Sequence, residues 1–523
     1  MVTLAPYASR FAPHGMVCTI DHLAAETGVQ ILRAGGTAAD AAVAASAVLA
    51  VTSQHMCGMG GDAFALVHRR GDLAPVAMNA SGRSGSGADP DRLRSEGHAR
   101  MPAHGDIRSV PVPGCVDGWL LLHGRFGRLE LSQVLGPARG YAIEGFPASP
   151  ILVRASSAVR ELPGGSDFAA AKAPGATVRR PGIARALDAL IDGGRDAFYL
   201  GEFGEGLLSL GAGEYSRSDL AAPQADWTEP ISIDAWQRRL WTVPPNSQGY
   251  LTLAGSWIAD RLDLPEDTDD PAWAHLTVEA ARQAAFDRVA ALHEHASASD
   301  LLDEERLLVR FEAIDRERAS TLGDRVTQGD TAYLCAVDDE RMAVSLIQSN
   351  AAGFGIGIAE PSTGIFLHNR GTGFNLVPGH LAEYGPSRRP PHTLSPVLVT
   401  DRGGNLDLVV GTMGADTQPQ VLLQLLARML HSHQDAGYAM AAARWSLQNP
   451  GADAFSTWEA KGDVEVCVEP GAPQGWRRGL TQRGHSVVVG PANFGHAHTI
   501  ICHSDQLEGA SDPRALIGAA AGY

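Results

Sequence analysis

The chain changes character within Arg325-Val-Thr-Gln-Gly-Asp-Thr-Ala-Tyr-Leu-Cys-Ala-Val-Asp338. The first half of this stretch is polar and turn-like, whereas the second half alternates as a strand that begins at Thr331. A β-branched hydroxyl at the first position of a strand is more often structural than catalytic. Such a threonine can act as a nucleophile if its own α-amine is freed to serve as the base, which requires cleavage of the peptide bond before it. The residues alone do not show whether that cleavage occurs.

The two sides of this stretch differ in their predicted elements. Periodicity and turn signals predict helices on the N-terminal side and mostly strands on the C-terminal side. The predicted helices cover residues 21–34, 40–51, 183–191, 272–292 and 421–430, within a region, 115–300, that is expected to be mostly helical. The predicted strands cover residues 63–68, 73–79, 331–337, 342–349, 396–400, 406–410, 464–468, 486–489 and 498–502. This arrangement favours a layered α+β architecture.

Length and charge narrow the class of protein. The chain has 523 residues, which suggests two to four ordinary domains or one large enzyme fold, and a net charge of −17. The acidic balance argues against nucleic acid or an anionic membrane as a partner, although a local pocket can still bind an anionic substrate. The first residues lack a basic segment followed by an apolar one, and the longest apolar stretch, 38–51, contains Asp40 and is too short to span a bilayer. We therefore expect a cytoplasmic protein.

Motifs for cofactors and metals are weak. The glycine loop at residues 58–61 has neither the GxGxxG nor the GK[ST] pattern, so a structural turn is the better interpretation. The six cysteines are scattered without a CxxC pair, and the pairs His431/His433 and His496/His498 lack a third ligand at metal spacing. We predict no cofactor and no metal ion.

Ordered motifs over most of the chain resemble those of the γ-glutamyltranspeptidases, a branch of the N-terminal-nucleophile hydrolases. Residues 330–338 (DTAYLCAVD) look like the TTHxSVVD segment that opens the family's small subunit. Residues 35–45 (GGTAADAAVAA) and 58–64 (GMGGDAF) look like its N-terminal helix signature and its glycine loop. The remaining motifs follow in family order at residues 354–357, 364–369, 389–396, 411–414 and 509–514.

The resemblance implies a four-layer αββα sandwich and a precursor that cleaves itself between Asp330 and Thr331. The products would be a large subunit, 1–330, and a small subunit, 331–523, held together as one intertwined domain. The hydroxyl of Thr331 would attack first the preceding carbonyl and then the substrate carbonyl, with its freed amine as general base. The resulting acyl-enzyme would pass its acyl group to water or to an amine.

The resemblance also assigns supporting residues. Ser349 matches the family's Thr or Ser that hydrogen-bonds the nucleophile. Gly414 and Ala415 match the paired glycines whose backbone N–H groups form the oxyanion hole. An alanine still offers an N–H, so this role is retained if Ala415 can adopt the required backbone angles.

Several substrate-binding positions depart from the family. Arg83 lies two positions after the family's carboxylate-binding Arg, which Ser81 replaces, and the family's Ser pair reads His392-Thr393. Within residues 368–374 (HNRGTGF), Gly373 stands where the family has the Asp that binds the substrate ammonium. In the same substrate-facing segment, Arg370 follows Asn369 at a position that is usually a neutral amide. The loop between Phe374 and Arg388 looks shortened, so we expect the family's active-site lid to be missing.

These departures predict a different acyl group. A pocket with Arg370 and without the carboxylate is hostile to an ammonium, because an unpaired charge in a partly dry site costs several kcal/mol. Arg83, Arg370 and His392 could instead hold a carboxylate. The less functional interpretation is that Arg370 pairs with a nearby Asp or Glu and points away from the substrate.

Our hypothesis is an amidohydrolase or acylase whose substrate is a small amide with a carboxylate but no α-amine in its acyl part, as in relatives that act on oxamate or glutaryl amides. One alternative is a genuine γ-glutamyl hydrolase or transpeptidase whose ammonium partner comes from elsewhere. Others are a C–C bond-cleaving member of specialised metabolism and an unprocessed pseudoenzyme that only binds a ligand or a partner. The two subunits are the expected partners of each other, and a homo-oligomer of the processed heterodimer remains open.

Overall fold

The computed structural model describes residues 8–320, 331–448, 464–491 and 494–523. The strands are β1 (Arg10–Ala12), β2 (Met16–Thr19), β3 (Asp62–His68), β4 (Val76–Ala80), β5 (Phe146–Pro147), β6 (Thr177–Val178), β7 (Asp226–Thr228), β8 (Ile231–Ala235), β9 (Arg238–Thr242), β10 (Ala332–Val337), β11 (Ala343–Ser349), β12 (Val397–Thr400), β13 (Leu406–Thr412), β14 (Trp445–Gln448), β15 (Glu465–Val468), β16 (Ser486–Val489), β17 (Ala497–Cys502), β18 (Leu507–Ser511) and β19 (Ala519–Gly522). The α-helices are α1 (His22–Arg33), α2 (Ala38–Thr52), α3 (Pro90–Ser95), α4 (Cys115–Phe126), α5 (Leu131–Glu144), α6 (Pro150–Ser156), α7 (Pro181–Tyr199), α8 (Glu202–Leu210), α9 (Arg217–Ala221), α10 (Tyr250–Asp260), α11 (Pro271–Ala285), α12 (Arg288–Ala291), α13 (Ala298–Leu301), α14 (Glu304–Glu312), α15 (Gln418–Leu426), α16 (Ala436–Ala441) and α17 (Gln474–Gln482).

Two large antiparallel sheets dominate the described part of the chain. The first has the strand order β1-β18-β17-β13-β12-β9-β8, and the second has the order β19-β2-β10-β11-β3-β4-β7. The strands β10 and β11, which follow Thr331 in the sequence, lie between β2 and β3 from the N-terminal part. Residues far apart in sequence on either side of position 330 therefore share one sheet.

Three apolar cores define four layers. One core lies between the two sheets and contains side chains from both, such as Tyr333, Phe64, Leu398 and Val409. A second core packs α1, α2, α4, α5 and α7 against the outer face of the second sheet. A third packs α10, α11 and α15 against the outer face of the first sheet. The result is the αββα sandwich predicted from the sequence.

Helix α2 shows how local sequence determines one of these layers. Its N-terminus is a capping box, in which the Thr37 hydroxyl accepts from the Asp40 N–H at 3.2 Å and the Asp40 carboxylate accepts from the Thr37 N–H at 2.9 Å. All fifteen residues of the helix are buried. Because most of them are alanine or valine, the helix can pack closely on all sides.

Region 115–300 is mostly helical, as expected, but the hairpin of β8 and β9 within it was not predicted. Trp236 and Gln237 connect the two strands with φ angles of 49° and 60°. A two-residue turn with both residues in the left-handed region normally carries Asn-Gly or Asp-Gly. The Trp-Gln pair gives no such signal, so the turn is set by the packing of the strands rather than by local preference.

Candidate active site

Three polar side chains stand in a row across neighbouring strands of the second sheet. Thr331 precedes β10 and is buried, and its Oγ1 lies 3.1 Å from the Oγ of Ser349 at the end of β11. Ser349 in turn is the cross-strand partner of Asp62 at the start of β3. Side chains alternate along a strand, and Tyr333, Ile347 and Phe64, each two residues from a member of the row, all lie in the inter-sheet core. Thr331, Ser349 and Asp62 therefore face the space between the sheets.

The residue before the predicted cleavage point, Asp330, lies outside the described residues. The geometry of the Asp330–Thr331 peptide bond is therefore not described, and self-cleavage at this bond stays a prediction. What the structure does place is the Thr331 hydroxyl, next to a second hydroxyl.

The turn that follows β13 carries the predicted oxyanion-hole residues. Gly411, near the end of β13, lies directly over the Tyr333 ring, since a Cβ at this glycine would be 2.1 Å from a ring carbon. Gly414 has a φ of 132° and Ala415 a φ of 47°, so Ala415 does adopt a left-handed conformation. The Gly414 carbonyl accepts from the N–H and the hydroxyl of Thr417, at 2.9 and 2.7 Å. In a trans peptide this directs the Ala415 N–H away from Thr417.

A buried ion pair lies beside the row of Thr331, Ser349 and Asp62. The Arg370 Nε donates to Asp62 Oδ2 at 2.8 Å, and the Arg370 Nη1 donates to the Thr393 hydroxyl at 3.0 Å. The same carboxylate oxygen lies 2.9 Å from His392 Nε2 and 3.1 Å from His368 Nδ1. The arrangement in which Arg370 pairs with a nearby carboxylate, weighed above as the less functional interpretation, is the geometry of the folded protein.

The charges of this cluster follow from its burial and its partners. Burial alone would raise the pKa of Asp62, but the Arg370 charge and the His392 and His368 hydrogen bonds hold that pKa well below its usual range. Burial, together with the Arg370 charge, lowers the pKa of His392 to about 4. His392 is therefore neutral near pH 7 and cannot supply the positive charge proposed for it. Its ring instead packs edge-on against Phe64, with ring centroids 4.7 Å apart.

The other predicted substrate residues also have protein partners. Arg83 donates to Asp226 at 3.1 Å, and the Arg389 guanidinium contacts the same carboxylate oxygen at 2.6 Å. Asn369 donates to the Ala103 carbonyl and accepts from the Ala352 N–H, so its amide joins two loops. The structure thus brings Arg370 and Thr393 together with His392, whereas Arg83 belongs to a separate ion pair. Whether any of them binds substrate stays a prediction.

The sequence reasoning did not single out Asp62. A carboxylate directly after the glycine loop and immediately before the predicted strand 63–68 was the available signal. The neighbouring glycines are required by close packing, since a Cβ at Gly60 or Gly61 would lie 2.2 Å from the carbonyl of Phe366 or Ser349. The loop therefore serves as the structural turn that we expected, and it sets Asp62 on β3 opposite Ser349 of β11.

A group of metal-ligand type lies elsewhere. His275, Glu279 and His485 are buried together, with His275 Nδ1 2.8 Å from His485 Nε2. The Arg282 guanidinium donates to Glu279 at 3.1 Å, which balances the carboxylate charge and opposes the approach of a cation. The two histidines form a hydrogen-bonded pair, which no feature of the sequence predicts.

Among the helices within the four described ranges, none is both long and apolar enough to cross a bilayer.

Comparison with known proteins gives relatives over the full length. The sequence profile described as gamma-glutamyltranspeptidase matches residues 24–523. The chain is 36% identical to the oxamate amidohydrolase proenzyme of Klebsiella pneumoniae, over 99% of this chain and 100% of that protein. It is 33% identical to a glutathione hydrolase-like proenzyme of Bacillus subtilis, over 95% of this chain and 97% of that protein. The solved structure of cephalosporin acylase from Bacillus halodurans superposes with a TM-score of 0.90 at 30% identity, covering 100% and 98% of the two chains.

Proposed function

The chain belongs to the gamma-glutamyltranspeptidase family and is an N-terminal-nucleophile hydrolase, and we propose that it cleaves small amides whose acyl part carries a carboxylate. The observation that carries the substrate proposal is the fixed guanidinium of Arg370 beside the row of Thr331, Ser349 and Asp62. Thr331 is the nucleophile in this proposal.

Maturation comes first. The Thr331 hydroxyl attacks the carbonyl carbon of Asp330, the C–N bond breaks, and the acyl group moves from nitrogen to oxygen. Water then hydrolyses this ester and leaves a carboxylate on Asp330 and a free α-amine on Thr331. The products are the subunits 1–330 and 331–523. The position of β10 and β11 between β2 and β3 supports their remaining one body, because both subunits contribute strands to the same sheet.

Acyl transfer then uses the new amine. It accepts the Thr331 hydroxyl proton as the oxygen attacks the substrate carbonyl, and it passes that proton to the leaving amine. The N–H groups of Gly414 and Ala415 would stabilise the oxyanion of each tetrahedral intermediate. Water, activated by the same amine, finally hydrolyses the ester. Ser349, 3.1 Å from the nucleophile oxygen, would orient it.

Charge and space around Arg370 favour a small acyl group with a carboxylate. Asp62 and Thr393 hold the guanidinium plane from two sides, and a substrate carboxylate could replace the Thr393 hydroxyl as the acceptor. Thr331, Arg370 and Thr393 are all buried, and we expect so enclosed a site to favour a short acyl chain over a long one. The similarity to an oxamate amidohydrolase supports the same conclusion, since oxamate has the shortest such acyl group.

A second candidate, γ-glutamyl hydrolysis, is favoured by one observation. Asp62 Oδ1 is buried and has no hydrogen-bond partner among the described residues. A carboxylate oxygen at this place could accept from a substrate ammonium and so replace the family's missing Asp at Gly373. Against this, the guanidinium of Arg370 already balances the Asp62 charge and would repel a second cation.

A matched pair of substrates separates the two. Glutaryl-p-nitroanilide and γ-glutamyl-p-nitroanilide differ only in the α-ammonium, and oxamate tests the shortest acyl group by ammonia release. We expect turnover of oxamate or of the glutaryl compound at a kcat/KM above that of the γ-glutamyl compound. Preferential γ-glutamyl turnover would reject the proposal. Identification of the products as a free amine and a dicarboxylate distinguishes amide hydrolysis from C–C cleavage.

A further inference from the structure

The side chain of Gln248 joins the two loops that would flank the reacting carbonyl. Its Nε2 donates to the Ala415 carbonyl at 3.0 Å and to the Thr393 carbonyl at 3.2 Å. Its backbone N–H also donates to the His392 carbonyl, at 2.8 Å. Gln248 itself is fully buried and lies in the turn just before α10. One amide therefore ties the predicted oxyanion turn to the segment whose Thr393 hydroxyl contacts Arg370.

The orientation of this amide is determined by Arg288. The Arg288 Nε donates to Gln248 Oε1 at 3.0 Å, and a guanidinium can only donate, so the Gln248 oxygen must face it and the NH₂ must face the two carbonyls. The Arg288 Nη2 donates to Asp416 Oδ1 at 3.1 Å, and Asp416 is the residue after Ala415. The network is thus anchored on both sides of the turn.

The turn needs such support because its backbone is strained. A non-glycine residue in the left-handed region is disfavoured and persists only where its surroundings impose it. Thr417 holds the peptide plane before Ala415 through the Gly414 carbonyl, and Gln248 holds the plane after it through the Ala415 carbonyl. With both planes held, the Ala415 N–H has one direction.

We propose that Gln248 is a positioning residue that sets the Gly414–Ala415 turn against the Thr393 segment for acyl transfer at Thr331. This inference rests on the proposed function for the roles of Thr331, Gly414 and Ala415. Gln248 touches neither substrate nor reacting atoms; it acts through the backbone carbonyls that it holds. A looser turn would stabilise the transition state less while ground-state binding at Arg370 changes little, so the effect falls on kcat more than on KM.

The test compares two buried glutamines. Gln248→Met keeps the size of the side chain and removes its hydrogen bonds. Gln424→Met is the matched control, because Gln424 is equally buried and its amide likewise bonds two carbonyls and accepts one donor, here from the Gln420 and Trp445 backbone. Both variants are assayed after maturation with the substrate that the wild-type enzyme turns over best. Their concentrations are matched by active sites, which are counted in a separate sample by acyl labelling of Thr331.

We expect Gln248→Met to lower kcat roughly tenfold to hundredfold with KM changed less than about threefold, and Gln424→Met to lower the melting temperature without changing kcat. Arg288→Met, which leaves the Gln248 amide in place but unsupported, should give a smaller fall in kcat. It also decides the matter if Gln248→Met does not mature. If both variants mature, the inference is overturned when Arg288→Met has wild-type kcat and Gln248→Met shows either wild-type kcat or an equal fall in kcat and KM. If Gln248→Met is not recovered, wild-type kcat in Arg288→Met alone overturns the inference.

The two proposals fail in distinguishable ways. If the wild-type enzyme ignores oxamate and glutaryl amides but cleaves the γ-glutamyl compound, the substrate proposal fails. The Gln248 comparison is then made with that compound, because an oxyanion forms whatever the acyl group.

Discussion

Arg370 and Asp62 form an ion pair buried in the core of the protein, with Nε 2.8 Å from Oδ2, one strand away from Ser349 and two strands away from Thr331. The pair joins residues 368–374, the segment in which Gly373 departs from the family, to β3, the strand that follows the glycine loop. Both the charge of the proposed acyl pocket and the local stability depend on it.

Removing either partner of this pair should destabilise the protein. A single Arg370→Gln or Asp62→Asn change leaves one buried charge without its counterion, which costs about 3–5 kcal/mol in other proteins. The double variant removes both charges and should be clearly more stable than the sum of the two losses predicts. Urea unfolding of the four proteins measures this coupling. Additive losses would contradict it.

The same arginine should control substrate binding. In Arg370→Gln the guanidinium that would hold the acyl carboxylate is gone, so kcat/KM for oxamate should fall by roughly a hundredfold, as for a lost charged hydrogen bond. Arg83→Gln serves as the comparison, because Arg83 is engaged with Asp226 in a separate and more exposed ion pair. Equal losses in the two variants would show that the substrate carboxylate is not held mainly by Arg370.

Thr331→Ala should stop both self-cleavage and turnover, because the methyl group cannot attack a carbonyl. A denaturing gel should show one band of full length, where the wild-type protein gives two bands split near residue 330. Thr481→Ala, on the exposed face of α17, is the control and should mature normally. Normal processing in Thr331→Ala would remove Thr331 from its proposed role.

The Ser349→Ala variant should mature more slowly than the wild-type protein, and its kcat should be roughly tenfold to hundredfold lower. Without the Ser349 hydroxyl the Thr331 hydroxyl is no longer held in place, and a misplaced nucleophile reacts poorly. Ser345→Ala is a close control: Ser345 lies on the same strand and face, and its hydroxyl lies 2.9 Å from the Tyr333 hydroxyl, so a similar hydrogen bond is lost. Steady-state kinetics on both variants give the comparison. A loss of the same size in the control would assign the effect to packing rather than to the nucleophile.

His498 should make the protein sensitive to acid. Burial, with a contribution from the neighbouring Arg444 charge, lowers the pKa of His498 to about 3, whereas an unfolded chain protonates histidine near pH 6.5. As the pH falls below 6.5 the unfolded state gains the proton first, so stability is lost at about 1.4 kcal/mol per pH unit until the folded pKa is reached.

The variant His498→Asn isolates this contribution. Other groups cancel in the difference, among them Asp338, whose pKa is raised by burial to about 6 and which acts in the opposite direction. Urea unfolding gives the free energy of unfolding of the wild-type protein minus that of the variant. This difference should decrease as the pH is lowered from 6.5 to 4.5. A difference that is constant over this range would contradict the buried, neutral state of His498.

The sequence by itself determined the layers of the fold. The predicted strands 331–337 and 342–349 flank the polar turn at residues 338–341, α2 carries a capping box and mostly small residues, and motif order identified the αββα sandwich. These features are local or repeat along the chain, so they can be read before folding. The turn at Trp236–Gln237 could not be read, because neither residue prefers the left-handed conformation that the strands impose on them.

Only the tertiary structure decided how the site is connected. Thr331 and Ser349 are eighteen positions apart in a hairpin, so their contact follows from strand register. The partners of Arg370 and of Gln248, in contrast, lie on distant segments of the chain. Gln248 meets its partners because β9, β12 and β13, the strands next to Gln248, Thr393 and Ala415, are neighbours in the first sheet. Charge balance was therefore the least predictable feature, because an arginine in the sequence does not indicate its counterion. Asp62 becomes the counterion of Arg370 because the loop before β3 meets the segment that carries Arg370, where the His368 N–H donates to the Gly60 carbonyl at 3.0 Å.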